Sequence, residues 1–437
     1  MKRFKSVWEV GALLMLSLIA PGCGPETYHG RFLASWSPDG SRAAAVPNLT
    51  EEIPDSGIWI FDARSGQSRQ IFALKDGSYC IHPQWSPFSD EILFATIRKD
   101  EGETKNPTDP EVPYSVWSIG ADGHGLRKIT DSTSVETSGD SDYPRIALPN
   151  TVAWGAIPGT VIFQKAVSDK VTALLLDPYT GRLTEFLPHP ADAYSLEPSP
   201  SRRYIAALLY DKHTDTAEVF LADFGFDNWR RLATIGFDSD QLKVFSPMIY
   251  WAPDSSCFVL PEKEEGPGLK GRPQHHLRLF DVQTGRSWVI VPGNPNTAIL
   301  WDGESRSFFF SGTSTADDED SDSAIYRVER RNGRTIPVVS EGDNFLLSWN
   351  QDDERVVFYQ KIRVKGPKGS EEITTRRFLS CASDGTDVRE LGPWIEDDGV
   401  IWSTSPGGQW LIFLNNTPRF VDLLSVLLSR DSFASRK

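Results

Sequence analysis

The sequence predicts an all-β protein, a β-propeller of four-stranded blades, and three observations carry that prediction. A short unit recurs roughly every fifty residues, which is the period of radial repeat architectures: an apolar run ending in Trp, a turn of the Ser-Pro-Asp-Gly kind, and a second apolar run. The first copy is Ser35-Trp36-Ser37-Pro38-Asp39-Gly40, and later copies are anchored at Trp85, Trp154, Trp251, Trp301, Trp349 and Trp402. The gap between Trp154 and Trp251 hides a degenerate copy, Pro198-Ser199-Pro200-Ser201 followed by Tyr204-Ile205-Ala206-Ala207-Leu208. Eight copies favour eight blades, because a unit of this size cannot bury its sheet faces without a neighbour on each side.

Each unit reads as four strands. After Trp36 come Arg42-Ala43-Ala44-Ala45-Val46, then Ile58-Trp59-Ile60-Phe61-Asp62, the turn Arg64-Ser65-Gly66, and Arg69-Gln70-Ile71-Phe72. The third-strand element recurs at Val116-Trp117-Ser118, Leu174 to Asp177, Val219 to Asp223, Leu277 to Asp281 and Ile325 to Val328. Gly-bearing turns follow at Gly123, Gly181, Gly285, Gly333 and Gly385. Glycine supplies the positive φ that tight hairpins require, and Pro38-Asp39 presets the turn between the first two strands. The recurring Trp reads as a plug between neighbouring blades, since its large apolar area suits sheet-on-sheet packing. After Trp402 the pattern divides. Gln409 to Leu414 reads as a strand, but Thr417-Pro418 followed by Phe420, Leu423, Leu424 and Leu427 has helical spacing. Seven blades with a C-terminal helix is therefore the alternative to eight.

Composition excludes some functions. The chain has 437 residues, 39% hydrophobic and 24% charged, with fourteen Trp and a net charge of −15. That suits a large packed core and argues against nucleic acid as a partner, because phosphate binding needs a cationic footprint. Lys2, Arg3 and Lys5 precede an apolar stretch from Val10 to Ala20 that is too short to span a bilayer and fits a signal-peptide core. Ala20-Pro21-Gly22-Cys23 resembles the lipobox of bacterial lipoproteins, with Pro21 departing from the usual small residue. The resemblance implies residues 1–22 as a signal peptide, Cys23 as the lipidated N-terminus and 23–30 as a tether to one domain over 31–437. Gly24, in place of Asp, implies an outer-membrane anchor facing the periplasm, with the lipid as the chain's contact to the membrane. Cys80, Cys257 and Cys381 fall in different repeats and match neither a disulfide framework nor a metal motif, so they read as small buried residues.

The Ser-Trp-Ser-Pro-Asp-Gly unit, the apolar strand ending in Asp and the Thr-Gly turn together resemble the TolB-type propeller repeat across residues 31–415. The same repeat occurs in the propeller domains of tricorn-like and prolyl-oligopeptidase-like proteases. The resemblance is specific for fold and poor for function.

In a four-stranded meander the A–B and C–D turns share one end of the propeller, and the B–C and D–A connections share the other. The first set is short. The second holds the insertions Pro47–Gly57, Asp100–Pro113, Asp131–Asp142, Glu262–Gln274, Ser311–Asp322 and Arg363–Arg376. Long loops on a rigid scaffold are where binding residues concentrate. Most are acidic, which makes Asp100, Glu101, Glu103, Asp317, Asp318, Glu319, Asp320 and Asp322 the candidate binding residues, with Arg363, Lys365 and Lys368 the basic exception. The run Asp317 to Asp322 has carboxylates for a calcium ion but lacks the ligand order of an EF-hand, so no cofactor is assigned. Gly266 to Gly271 matches a dinucleotide fingerprint by letter, yet Pro267 removes a donor and no helix follows. No G-x-S-x-G, H-E-x-x-H or C-x-x-C motif occurs. His275-His276 adjoin a strand, where neighbours point to opposite faces, and His82 opens an inner strand near the channel mouth. By resemblance, a lyase with this repeat holds a metal through channel histidines, and His82 alone is comparable here. These observations predict no enzymatic activity and a scaffold that binds an envelope protein, a peptide or a glycan on its long-loop end. The alternative is a carbohydrate-active or metal-dependent enzyme at the channel.

Overall fold

The structure, a computed structural model, describes residues 34–46, 57–74, 78–97, 114–131, 152–155, 157–167, 170–223, 228–237, 249–263, 275–291, 299–312, 322–365, 372–391, 395–396, 401–414 and 423–427. They are all-β, and they form eight antiparallel sheets in chain order. The first sheet is β1 (Ala34–Trp36), β2 (Arg42–Ala45), β3 (Gly57–Asp62) and β4 (Ser68–Ala73). The second is β5 (Tyr79–Trp85), β6 (Glu91–Ile97), β7 (Tyr114–Gly120) and β8 (Arg127–Asp131), and the third β9 (Val152–Trp154), β10 (Val161–Val167), β11 (Lys170–Asp177) and β12 (Arg182–Glu185). The fourth is β13 (Ala193–Pro198), β14 (Tyr204–Asp211), β15 (Thr216–Asp223) and β16 (Arg230–Gly236), and the fifth β17 (Tyr250–Trp251), β18 (Cys257–Lys263), β19 (His275–Asp281) and β20 (Ser287–Val291). The sixth is β21 (Leu300–Trp301), β22 (Ser307–Gly312), β23 (Ala324–Glu329) and β24 (Thr335–Val339). The seventh is β25 (Asp343–Asn350), β26 (Arg355–Lys365), β27 (Glu372–Ala382) and β28 (Arg389–Glu390), with β29 (Ile395–Glu396) also on β27. The eighth shows β30 (Ile401–Thr404), β31 (Trp410–Leu414) and β32 (Leu423–Leu427).

The core lies between sheets. Fully buried Phe258, Phe280 and Leu260 of the fifth sheet meet Ala206, Val219 and Phe237 of the fourth. The other face of the fifth sheet, through Val259, Leu277 and Leu279, meets Trp301, Phe308 and Val328 of the sixth. Inner-strand Trp residues join these layers. Trp154 Nε1 donates to the Gln84 carbonyl at 3.0 Å, Trp251 Nε1 to Glu197 O at 2.9 Å, and Trp301 Nε1 to Tyr250 O at 3.1 Å. In each case the acceptor is the residue just before the Trp position of the preceding sheet. The ring is completed where Trp410 packs against a cluster of Phe61 with Ala34, Ala43, Ala45 and Ala63, the alanines leaving room for it between the eighth sheet and the first. On its other side the eighth sheet meets the seventh closely, and a Cβ on Gly408 there would stand 2.3 Å from the Trp349 carbonyl oxygen.

Three expectations are corrected. Leu423–Leu427 is a strand paired with β31, not part of a helix, because Leu423, Leu424 and Leu427 find sheet partners in Leu414, Phe413 and Trp410. The stretch Arg363–Arg376, read as a loop insertion, is mostly an extended hairpin in which Arg363 pairs with Thr374 and Lys365 with Glu372. Its β-branched residues Ile362, Val364, Ile373, Thr374 and Thr375 favour strand over loop. His82 lies within β5, at a register irregularity between Ile81 and Gln84, rather than at the start of the strand. Cys80, Cys257 and Cys381 are buried and free, and burial pushes the Cys257 thiol up to about 12 and that of Cys381 up to about 11.

Replacing Trp301, 7% exposed, by Ala is expected to cost about 3–5 kcal/mol in urea unfolding. Trp288→Ala, at a residue 43% exposed, is expected to stay within about 0.5 kcal/mol. Equal shifts in the two variants would refute the plug role.

Candidate functional site

The two ends of the propeller use their polar groups differently. At the short-turn end these groups hold turns and bind sheet to sheet. The Asp39 carboxylate accepts from the Ser37 and Ser41 hydroxyls, and those bonds, Ser37 foremost, hold its pKa down at about 2. Asp62 and Asp281, at the ends of third strands, accept from the N–H and hydroxyl of Ser65 and Thr284, all at 2.7–2.8 Å. Across sheets, Ser201 N–H donates to Ser255 Oγ and Asp254 N–H to Ser305 Oγ, both at 2.9 Å. Ser255 and Ser305 have φ of 60° and 58°, where the repeat elsewhere carries Gly40. A left-handed Ser costs about 1–2 kcal/mol, which its hydroxyl helps offset by accepting the bond from the preceding turn. Arg42 pairs with Asp90 at 2.9 Å, while Arg69 and Arg230 donate to the Ala121 and Val282 carbonyls of the following sheets.

At the long-loop end, charged side chains gather across paired strands rather than within turns. In the fifth sheet Glu262 of β18 lies opposite His276 of β19, and Arg278 sits two residues further along the same face. Arg278 Nε donates to Glu262 Oε2 at 2.5 Å and His276 Nε2 to the same oxygen at 2.6 Å. Glu262 is 7% exposed. Burial alone would raise its pKa, but the bonds from His276 and Arg278 prevail and hold it below the usual carboxylate value. A looser copy of this triad stands on the neighbouring fourth sheet, where Glu218 meets His189 at 2.7 Å and Arg231 at 2.9 Å. In the seventh sheet Asp343, Lys361 and Arg376 form one row across three strands, beside a parallel row of Phe345, Tyr359 and Phe378. Lys361 Nζ lies 4.7 Å from the Phe345 ring centre, and the Arg376 guanidinium 5.2 Å from that of Tyr359. Burial lowers both cations, Arg376 to about 10. Cation–aromatic contact compensates part of that desolvation.

Of the residues chosen from sequence, Cys23, Asp100, Glu101, Glu103, Asp317, Asp318, Glu319 and Asp320 lie outside the described residues. Asp322 is described and exposed, two residues before β23. His82 has its backbone on an inner strand. None of the described candidates is brought beside another. Glu262, Arg278, Lys361 and Arg376 were not singled out as site residues. His276 was noted as adjoining a strand, but its partner Glu262 is remote in sequence and only the register of β18 and β19 brings them together. Among the described residues no group of three or more His, Cys, Asp or Glu side chains is placed to hold a metal ion.

No protein-family model matches the chain, and no curated protein matches it by sequence. Solved structures do share its fold. Dipeptidyl peptidase 4 of Porphyromonas gingivalis is similar at a TM-score of 0.50 and 13% identity, covering 83% of this chain and 60% of that one. The tricorn protease has a TM-score of 0.46 and 12% identity over 89% of this chain, which spans 41% of the protease. TolB from Acinetobacter baumannii has a TM-score of 0.36 and 11% identity, covering 81% of this chain and 80% of that one. This chain thus spans less than two thirds of each of the two peptidases. The expectation that the protein is not an enzyme is corrected by these likenesses. The dipeptidyl peptidase with this fold is an enzyme, so the fold does not separate binding proteins from catalysts, and enzymatic status is open. The chain has the β-propeller fold.

Glu262→Gln is expected to destabilise the ring by about 2–3 kcal/mol at neutral pH, the range for a lost charged hydrogen-bond pair. Because the folded carboxyl titrates below its unfolded value of 4.5, that contribution is present above this value and lost as pH falls through the depressed one. The urea midpoints of wild type and variant should therefore converge in acid. A difference independent of pH would show that Glu262 acts through packing alone.

Proposed function

We propose that the protein is a lipid-anchored binding scaffold of the bacterial envelope, carried on the outer membrane through Cys23 and facing the periplasm. It takes an envelope protein, a peptide or a glycan on its long-loop end. One observation carries this reading. The short-turn end commits its polar groups to turns and neighbouring sheets, whereas the long-loop end holds charged clusters at Glu262 and Arg376 that no turn requires. The roots of the long loops are thus rigid, as positioned binding residues demand. The carboxylates of the loops at 98–113 and 313–321 give this end a negative field, which favours a partner with positive charge.

Neutralising Asp317, Asp318, Glu319 and Asp320 together is expected to weaken capture of the partner from detergent-solubilised envelope severalfold at low salt, on the order of the effect of rim charges on association. The melting temperature should hold, because exposed charges add little to stability. Capture that is indifferent to this variant but sensitive to changes at Arg64-Ser65-Gly66 would move the working surface to the opposite end. Cys23→Ser is expected to shift the protein from the membrane fraction to the soluble one. A wild-type protein already soluble would refute the anchor.

A further inference from the structure

The outer strand of each sheet presents a row of main-chain N–H and C=O groups with a sheet neighbour on one side. Such edges invite a further strand, and proteins guard them with charge or proline. Among the first seven sheets the outer strands follow that rule with one exception, and in the eighth the last described strand, β32, also carries neither charge nor proline. Arg69 guards β4, Arg127 and Lys128 guard β8, Arg182 guards β12, Arg230 and Arg231 guard β16, and Arg389 guards β28, while β24 carries Pro337. Strand β20 reads Ser287-Trp288-Val289-Ile290-Val291 and has neither. Trp288 and Val289 are 43% and 42% exposed, consecutive along this unguarded edge with their side chains on opposite faces of the sheet.

The surroundings of β20 have a definite charge. Trp288 lines a cleft of about 610 Å³ shared by the fifth and sixth sheets, with Arg306, Arg327, Arg330 and Arg331 against the carboxylates of Asp281 and Glu329. Four guanidinium groups gather there in a chain of net charge −15. Arg330 is held by Asp254 at 3.0 Å and Arg327 donates to Ser307 Oγ at 3.1 Å. Arg306 and Arg331 are exposed, Arg306 in an ion pair with the exposed Glu304 of the same turn.

We propose that β20 is a strand-addition site for an extended acidic peptide segment of a partner protein. The segment joins the fifth sheet as a further strand, lays an apolar side chain on Trp288 and turns carboxylates toward Arg306 and Arg331. A peptide fits better than a polysaccharide because only a polypeptide main chain matches the donor and acceptor spacing of a strand edge. Acidic side chains are required because the arginine forks select carboxylates and repel a basic segment. This surface is separate from the long-loop end, so one scaffold holds two partners at once.

The test uses the full chain and a fluorescent synthetic peptide alternating glutamate and valine, read by anisotropy at low salt. The peptide is expected to bind, and binding should fall about tenfold or more for Arg306→Gln/Arg331→Gln, which removes two charge-assisted contacts. Trp288→Ser should also weaken it. Both variants are on the surface and should melt with the wild type. Methylating alternate backbone nitrogens of the peptide should abolish binding with the protein unaltered, which tests strand addition whatever the variants do to folding. The variant neutralised at Asp317, Asp318, Glu319 and Asp320 should bind the peptide as wild type does, so failure here is distinguishable from failure of the long-loop reading. Absence of binding by the parent peptide, undiminished binding by the methylated peptide or by the arginine variant, or displacement by an acidic polysaccharide at equal carboxylate concentration would each overturn the proposal.

Discussion

The contact between neighbouring sheets is the interaction on which this protein depends. A lone four-stranded sheet of these sequences would expose two apolar faces, and each is covered only by the next sheet in the ring. The tryptophan at the end of the inner strand makes that contact specific. Its ring packs between sheets, and in the third, fifth and sixth sheets its indole N–H is bonded to the carbonyl just before the equivalent position of the preceding sheet. A one-residue slip of an inner strand would move that carbonyl and turn the Trp to the other side of the sheet. Packing and register are thus fixed by one side chain. The fourth sheet departs from the pattern, with Pro198 where a Trp would stand, yet Glu197 still accepts the bond from Trp251. The role of acceptor therefore survives the loss of the role of donor.

The same requirement explains why the two ends differ. Inner and outer turns at the short end meet their neighbours closely, and their side chains are chosen for that. Gly408 is excluded from bearing a Cβ by the Trp349 carbonyl, and Ser255 and Ser305 adopt a left-handed conformation while accepting a bond from the preceding sheet. The long-loop end carries the longer connections. What it needs is a firm root for each loop, and the Glu262–His276–Arg278 cluster supplies one across the ends of β18 and β19. Three polar side chains at a strand end are costly to desolvate singly, but the shared carboxylate oxygen accepts a hydrogen bond from both neighbours.

Charge and edge protection are linked in the outer strands. Arginines at the starts of β4 and β16 cover the edge and also bond to carbonyls of the following sheet. In β20 the guard is absent, and the arginines lie across the cleft on the sixth sheet instead. That redistribution leaves the edge open while keeping positive charge within reach of it.

The repeat itself determined the architecture. Apolar alternation, the Trp anchors and the turn residues act through neighbours only a few positions away, so the four strands of each unit and even the degenerate copy at Pro198–Ser201 were legible from the chain alone. The buried cysteines were legible for the same reason, since each falls within an apolar strand. Where the sequence misled, the signal was local but ambiguous: Leu423, Leu424 and Leu427 fit helix spacing, and pairing with β31 settled them as strand. The stretch Arg363–Arg376 read as a loop insertion, and the pairing of Arg363 with Thr374 and of Lys365 with Glu372 makes its ends strand. The polar clusters belong wholly to the tertiary structure. Glu262 and His276, or Lys361 and Arg376, meet because antiparallel register places them opposite each other across a connection of arbitrary sequence. Which outer edge stands beside which arginines is decided by the packing of one sheet on the next, a relation between residues in different repeats that no single repeat encodes.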